Sequence, residues 1–403
     1  MRQCYNFIDT YYMIRPKAIK LFNNRTFILS VWILLAVLST LKPILSGREP
    51  NNYLIFIYTY FHSINHLNLF TQYPEYGDTN HYGPFFCLVI APFATMPRFL
   101  GMFLWQIANT AFLYYAVSTL PLKNSKVNIV YWLIANELLT SLFSFQINPS
   151  ITAIIILSYT MIDRKNNFIA AFLILLGTFI KLYGIVGLAF FFFVKEKPKF
   201  IGYCIFWAVI FFVLPMAFFS PEYIIQCYWD WYISLSEKQV QNASLTSPQD
   251  MSIMGIVRRV FQDSGIPNLP FLTGGLILFC LPYLRLKQYK LDAFRLGYLA
   301  STLIFAVIFS NSSESPTYII AFSGVAIWFV IQETPIKPEI IGLLVFAILL
   351  TTLAPTDIYP KVVRTFFSHY SLKALPCVVI WFYLSYQLLT KEFNTHKVNP
   401  NIE

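Results

Sequence analysis

Residues 47–83 concentrate side chains that can accept or transfer a proton. This stretch contains three histidines and the carboxylates of Glu49, Glu75 and Asp78, with tyrosines between them. A carboxylate can act as a base that takes the proton of an attacking hydroxyl group, and Asp78 and Glu49 are the two candidates for that role. The alternative is that these are ordinary solvated loop residues that cap short helices.

Three cationic residues elsewhere could bind an anion. Lys181 lies inside the apolar segment GTFIKLYGIVG, and an unpaired ammonium group that faces lipid is energetically costly. We expect it either to hold a phosphate oxygen or to form an ion pair with Glu137. Arg258 and Arg259 lie beside an apolar helix start, and their planar guanidinium groups suit phosphate. The alternative is that these two arginines contact lipid headgroups.

Polar residues near predicted helix ends are further candidates. His81 and Tyr82 precede Gly83 and Pro84, which form a turn with proline at the start of the next helix. His81 either orients an anion or the base, or makes only local hydrogen bonds. Glu314, in the segment SSESPTY, either accepts hydrogen bonds from substrate hydroxyl groups or caps a helix.

The cysteines give no sign of a metal site. All six are scattered along the chain, and none belongs to a CxxC or Cys/His pattern. The sequence therefore predicts no metal centre and no required cofactor. A divalent metal is compatible with phosphate chemistry, but no residue pattern requires one.

The composition is that of a membrane protein. Hydrophobic residues make up 57% of the chain and charged residues only 12%, and the mean hydropathy is +0.58. This leaves too little polar surface to cover a soluble protein of 403 residues. The net charge of +10 does not indicate a nucleic-acid partner, because the basic residues lie in short clusters between apolar runs, where they set membrane topology.

Apolar runs predict an all-α polytopic integral membrane protein with about twelve (roughly 10–13) transmembrane helices. Residues 84–97 and 149–194 contain shorter runs of about 13 residues, too short to cross a bilayer unaided. The clear runs lie near residues 27–45, 99–120, 127–146, 200–219, 269–284, 292–311, 316–333, 338–354 and 372–389.

The distribution of lysine and arginine predicts the orientation. It favours two short helices that meet at Lys181 and a dipping segment at 84–97, with a cytoplasmic N-terminus. Whether residues 168–194 form these two helices or one long helix, the loops 47–83 and 220–268 and the turn around Glu314 are extracytoplasmic. Aromatic residues in the second loop indicate a short interfacial helix. Residues 1–403 are expected to form a single integral membrane domain.

Several segments resemble, in order, the motifs of glycosyltransferase family 87. They are NNYLIFIYTYFH, NLF and YPEYGDTNHYGPFFCLVIAPFATMP, which begin in the first loop and continue into the segment at 84–97, then QINPS, then the helix that ends at Lys181, and then DMSIMGIVRRV. The family's catalytic aspartate corresponds to Asn51 or Asn52 here. An amide cannot act as a base, so Asp78 or Glu49 is expected to take that role.

The resemblance implies a GT-C type fold in the cell inner (plasma) membrane, with an extracytoplasmic active site. It implies transfer of a sugar, a mannose-like hexose or a pentose, from a polyprenyl-phosphate donor to a lipid- or glycan-linked acceptor. Lys181, Arg258 and Arg259 would bind the donor phosphate. The alternatives are a transporter or flippase, or a polymerase, of lipid-linked saccharides. The residues expected to bind substrate are His81, Tyr82, Asn51, Asn52, Glu314, Asn148 and Ser252.

Overall fold

In the computed structural model, which describes residues 20–393, the chain is built from helices and these residues contain no β-strand. The basic residues that precede residue 20 lie outside the described part of the chain. The helices are α1 (Arg25–Ser46), α2 (Asn51–Ile64), α3 (Phe86–Ala94), α4 (Arg98–Ser118), α5 (Asn124–Phe143), α6 (Asn148–Asp163), α7 (Asn167–Ile180), α8 (Lys197–Val213), α9 (Pro221–Asn242), α10 (Ile253–Phe261), α11 (Leu269–Cys280), α12 (Asp292–Ile308), α13 (Tyr318–Val330), α14 (Pro338–Ala347), α15 (Lys361–His369) and α16 (Leu375–Thr390).

Helix α1 shows how local sequence sets the ends of a predicted span. The side chain of Asn24 accepts hydrogen bonds from the backbone N–H groups of Thr26 and Phe27, at 2.8 and 3.1 Å. Such a cap satisfies N–H groups that have no partner within the helix. Gly47 ends the helix with a φ of 63°, a left-handed conformation that glycine adopts without steric cost. The predicted first span is therefore confirmed as one continuous helix.

Within residues 20–393, three helices are long and apolar enough to cross a membrane. They are α1, the helix Lys197–Ala217 that contains α8, and the helix Leu372–Thr390 that contains α16. The all-helical, membrane-type character expected from the composition is confirmed, whereas a total near twelve spans stays a prediction. The shorter apolar helices are Asn167–Ile180, Leu182–Phe193, Leu269–Leu284, Ser315–Val330 and Pro338–Leu353.

The chain breaks at Lys181, as the lysine and arginine pattern predicts. Helix α7 ends at Ile180, Lys181 is extended, with φ −152° and ψ 124°, and a 3-10 helix follows over Leu182–Phe193. Glycine allows the chain after the break to pass close to α7, because a Cβ atom at Gly184 would lie 2.2 Å from the carbonyl carbon of Gly177. The break leaves the Lys181 side chain at a junction between two helices.

Helix α13 lies at the centre of the bundle. Every residue from Tyr318 to Trp328 is buried, the pattern of a helix surrounded on all sides. Helix α6 is buried over most of its length as well. Gln146, just before α6, contacts Glu314, just before α13, so these two central helices begin at the same place. The candidate site forms at their N-terminal ends.

A candidate active site at the start of the two central helices

A cavity of about 350 Å³ lies beside the beginnings of α6 and α13. The loop between α2 and α3, the break at Lys181, helix α9 and the turn around Glu314 contribute to its wall. These elements are far apart in the sequence, and both predicted outer loops are among them. The cavity brings together six of the residues predicted to form the site, namely Asn52, Asp78, His81, Tyr82, Lys181 and Glu314.

One face of α9 holds the loop that carries Asp78. Trp231 Nε1 donates a hydrogen bond to the carbonyl oxygen of His81, at 2.9 Å. Ser234 Oγ lies 2.9 Å from His81 Nδ1, and Lys238 Nζ lies 3.4 Å from Asp78 Oδ1. Residues three, four and seven positions apart share a helix face, so α9 fixes both ends of the segment from Asp78 to His81.

The other side of this loop packs against the backbone beside Lys181. The N–H of Gly83 donates to the carbonyl of Ile180, at 3.0 Å. A Cβ atom on Gly83 would lie 2.1 Å from the carbonyl oxygen of Phe179, so only glycine allows this approach. Gly83 therefore sets the distance between the Asp78 loop and the Lys181 break.

His81 is a neutral side chain in this site. Its imidazole lies between Thr79 Oγ1, at 3.2 Å, and Ser234 Oγ, at 2.9 Å. Burial, with the nearby positive charge of Lys238 as a second cause, lowers the pKa of His81 to about 4. At neutral pH the ring can donate one hydrogen bond and accept another, but it brings no positive charge to a phosphate.

Lys181 supplies a half-buried cation on the cavity wall. Its Nζ donates to Asn148 Oδ1 at 2.9 Å and lies 5.5 and 5.2 Å from the ring centroids of Tyr82 and Tyr183. The ion pair with Glu137 considered above is wrong, because Glu137 binds Lys373 at 3.0 Å. Within residues 20–393 no carboxylate lies within 4.0 Å of the Lys181 ammonium.

Four predicted residues lie around the cavity rather than on its wall. Glu49 pairs with Arg98 at 2.9 Å. Asn51 Oδ1 accepts a hydrogen bond from the N–H of Gly77 at 2.7 Å, so it anchors the first loop. Asn148 accepts the hydrogen bond of Lys181 and does not itself line the cavity. Ser252 caps α10 by accepting from the N–H of Gly255 at 3.0 Å, and it donates to Asp250 at 2.6 Å.

Arg258 and Arg259 are buried away from this cavity. Arg258 donates to Asp250 Oδ2 at 2.6 Å and to the carbonyl of Ile266 at 2.8 Å. Arg259 donates to backbone carbonyls, including those of Ser247 at 2.8 Å and Gln249 at 2.9 Å. Both guanidinium groups are already paired and shielded from lipid headgroups, so this arrangement does not support the predicted phosphate role. They order the segment that brings Gln249 to the cavity wall.

Replacing Arg258 with methionine is therefore expected to affect folding first. Only 3% of the Arg258 side chain and 1% of the Asp250 side chain is exposed. Removing the cation leaves a buried, unpaired carboxylate, which costs about 3 kcal/mol. The expected result is a lower melting temperature of the detergent-solubilised protein at neutral pH. A stable Arg258→Met variant that has lost affinity for a phosphate ligand would contradict this structural role.

Sequence reasoning missed several residues of the cavity wall. Lys238 belongs to the predicted interfacial helix, and its spacing of seven from Trp231 on a helix was the available signal. Gln146 stands two residues before Asn148 in QINPS, but nothing in the sequence indicated that it would meet Glu314. The other polar residues not singled out are Thr79, Tyr183, Gln249, Ser310 and Ser312.

No metal site is apparent in the described part of the chain. Residues 20–393 contain no group of three or more histidine, cysteine, aspartate or glutamate side chains that could hold an ion. The carboxylates of the cavity are instead paired with lysine or with an amide, as Asp78 is with Lys238 and Glu314 is with Gln146.

Comparison with known proteins agrees with the motifs read from the sequence. No curated protein matches the chain significantly. The model of glycosyltransferase family 87 matches residues 80–310, more than half of the 403 residues. The match includes His81, Tyr82 and Lys181, and it leaves Asp78 and Glu314 just outside its two ends. With its apolar helices and the cavity at Lys181, the chain belongs to glycosyltransferase family 87.

Proposed function

We propose that this glycosyltransferase moves a sugar from a polyprenyl-phosphate donor to a lipid- or glycan-linked acceptor. The ammonium of Lys181 carries the proposal. It lies on the cavity wall, and its polar contact within the described residues is an amide oxygen. A half-buried cation without a carboxylate partner favours binding of an anion, and the phosphate of the donor is such an anion. The sugar is a mannose-like hexose or a pentose.

The reaction takes place at the extracytoplasmic face of the cell inner membrane, in a GT-C type fold with about twelve spans. Residues of both predicted outer loops line the cavity, which supports the proposal that the two loops lie on the same side of the membrane. The first loop contributes Asp78 and His81, and the second contributes Lys238 and Gln249. The apolar surface of α1 and α8 supports embedding in the bilayer, since Leu34 is 53% and Ile205 is 61% exposed.

The proposed chemistry is a direct displacement with inversion. Asp78 takes the proton of the acceptor hydroxyl, and the hydroxyl oxygen forms a bond to the anomeric carbon. The bond between the anomeric carbon and the phosphate oxygen breaks, and its electron pair leaves with the phosphate. Lys181 stabilises the charge that develops on that oxygen. The proton stays on Asp78 until it passes to solvent, so no redox partner is needed.

Lys238 takes the second cationic role that the sequence assigned to the arginines. It lies on the cavity wall with its ammonium 3.4 Å from Asp78, and its side chain is 15% exposed. This ion pair neutralises the proposed base. When the donor binds, its phosphate competes for Lys238, so that Asp78 becomes free to accept a proton. Arg258 and Arg259, being paired elsewhere, support the site from outside.

The test uses the full chain, purified and reconstituted into liposomes. Radiolabelled polyprenyl-phosphate mannose and a polyprenyl-phosphate pentose are incubated with a lipid extract as acceptor. The expected result is a labelled product with one donor and release of polyprenyl phosphate. Movement of intact donor across the bilayer without product would replace the proposal with a transporter or flippase. Chains of many labelled sugars would instead indicate a polymerase.

A further inference from the structure

A chain of four side chains joins the cation of the cavity to one of its carboxylates. Lys181 Nζ donates to Asn148 Oδ1 at 2.9 Å, and Asn148 Nδ2 donates to Gln146 Oε1 at 2.5 Å. Gln146 Nε2 donates in turn to Glu314 Oε1. The chain thus runs without interruption from Lys181 to Glu314.

The hydrogen bonds that link these four side chains can be donated in only one direction, from Lys181 towards Glu314. A lysine ammonium can only donate hydrogen bonds, and an ionised carboxylate can only accept them. The oxygen of Asn148 must therefore face Lys181, and the nitrogen of Gln146 must face Glu314. An amide between two neutral hydroxyl groups would be free to turn over, but these two amides are not, because charges of opposite sign stand at the two ends.

Burial makes the chain costly to break. Gln146 is 4% exposed and Asn148 is fully buried, and a buried polar group without a partner is destabilising. Each amide uses its nitrogen and its oxygen once within the chain. Lys181 has two further N–H donors, and Glu314 has a second oxygen; both residues line the cavity.

We propose that Gln146 and Asn148 are positioning residues that join Lys181 to Glu314 through a hydrogen-bond relay of fixed polarity. The relay holds the ammonium and the carboxylate in place on the cavity wall. The inference rests on the proposed function insofar as the anion at Lys181 is the donor phosphate. A carboxylate has about four lone-pair sites, so Glu314 can accept a hydroxyl group of the sugar in addition to the hydrogen bond from Gln146.

Apart from Lys181, whose pKa is lowered by burial to about 8, few groups near Glu314 change charge between about pH 5.5 and about pH 8. Tyr82 and Tyr183 are neutral phenols in that range, and His81 stays neutral because its pKa is lowered to about 4. The ammonium of Lys373 lies 3.0 Å from the hydroxyl oxygen of Ser315, the residue after Glu314, and forms an ion pair with Glu137. Asp78 and Lys238 form their own pair elsewhere on the wall.

The test replaces Gln146 with glutamate, which places a second carboxyl group against Glu314. Two carboxylates in contact repel each other, so one of them has a raised pKa and keeps its proton at low pH. The protonated group donates to Glu314 as the amide did, and the relay is intact with its original charge. Above that pKa the site carries one extra negative charge, and the relay is broken.

Affinity for polyprenyl phosphate is measured over about pH 5.5–8 for the full chain in detergent micelles. Relative to the wild type at each pH, Gln146→Glu is expected to bind normally at the acidic end and about tenfold or more weakly at the alkaline end. The comparison at each pH cancels the second ionisation of the phosphate itself. Equal affinities throughout would overturn the relay.

The exchange variant Gln146→Glu/Glu314→Gln restores one amide and one carboxylate in contact. Its melting temperature is expected to follow the wild type at every pH, whereas that of Gln146→Glu falls as pH rises. If the exchange restores nothing, the relay is wrong, whether or not any ligand binds. If the wild type neither binds polyprenyl phosphate nor transfers sugar while the exchange restores stability, the proposed function fails and the relay stands.

Gln106→Glu is the matched control. Gln106 is a buried glutamine that donates to the carbonyl of Leu142 at 2.6 Å, away from the cavity wall. The same substitution there is expected to lower the melting temperature without changing the relative affinity for polyprenyl phosphate. An affinity loss in this control with the same pH dependence would assign the effect at Gln146 to general destabilisation and overturn the relay.

Discussion

Replacing Lys181 with glutamine is expected to lower kcat for sugar transfer by about 10²–10³-fold, the usual effect of removing one group that stabilises developing negative charge. The reason is that the charge on the leaving phosphate oxygen grows as its bond to the sugar breaks. Glutamine keeps a hydrogen-bond donor near Asn148 but brings no charge. Affinity for polyprenyl phosphate should fall as well, since the released phosphate binds the same ammonium. Both quantities are measured with purified, reconstituted protein.

Lys199→Gln provides the matched control for this prediction. Lys199 carries the same charge, but its side chain is 59% exposed and lies 3.4 Å from Glu196, outside the cavity. Its loss should leave transfer and phosphate affinity unchanged. If Lys181→Gln keeps full transfer activity, the cation is not needed for transfer, and the proposed function loses its main support. Equal losses in the two variants would point to long-range charge rather than to contact with the donor.

Replacing Asp78 with asparagine is expected to lower kcat by about 10²–10⁴-fold, the range for removing a general base. Asparagine has nearly the same shape, and its oxygen can still accept the hydrogen bond that Asp78 Oδ1 accepts from the N–H of Thr79, at 2.8 Å. The loop should therefore keep its position. Donor binding should stay the same or tighten, because Lys238 loses its carboxylate partner. A large fall in kcat with an unchanged or lower KM would separate catalysis from binding.

Glu49→Gln decides between the two carboxylates predicted as the base. Glu49 pairs with Arg98 at 2.9 Å and does not line the cavity, so its substitution should change transfer much less than Asp78→Asn does. The opposite order of effects would assign the base to Glu49. It would also mean that the first loop moves on substrate binding, because Arg98 would have to release the carboxylate.

The sequence predicted the all-helical, membrane-type character of the fold because apolar helices depend on local properties. The length of an apolar run, a capping residue such as Asn24 and the positions of basic residues all act over short stretches of chain. The break at Lys181 could be predicted in the same way, since a charged residue within an apolar segment limits how that segment can cross. The family was also recognisable, because its motifs are short segments in a fixed order.

The site itself was predicted only in part. Asp78, His81 and Lys181 stood out because charged or ionisable side chains are rare beside apolar segments, and all three line the cavity. Arg258 and Arg259 carried the same local signal but pair with Asp250 and with backbone carbonyls. Sequence shows which groups can bind an anion and does not show which of them are already paired.

The sequence by itself determined that this is a helical membrane protein of glycosyltransferase family 87 with a polar first loop. The tertiary structure decided which polar residues meet. Gln146 and Glu314 are 168 positions apart, and Lys238 and Asp78 are 160 apart. Such contacts depend on how several helices pack together, and no local pattern encodes that packing. Hydrogen bonds act only over short distances in space. The chemistry of the cavity is therefore set by contacts between residues that are far apart in the sequence.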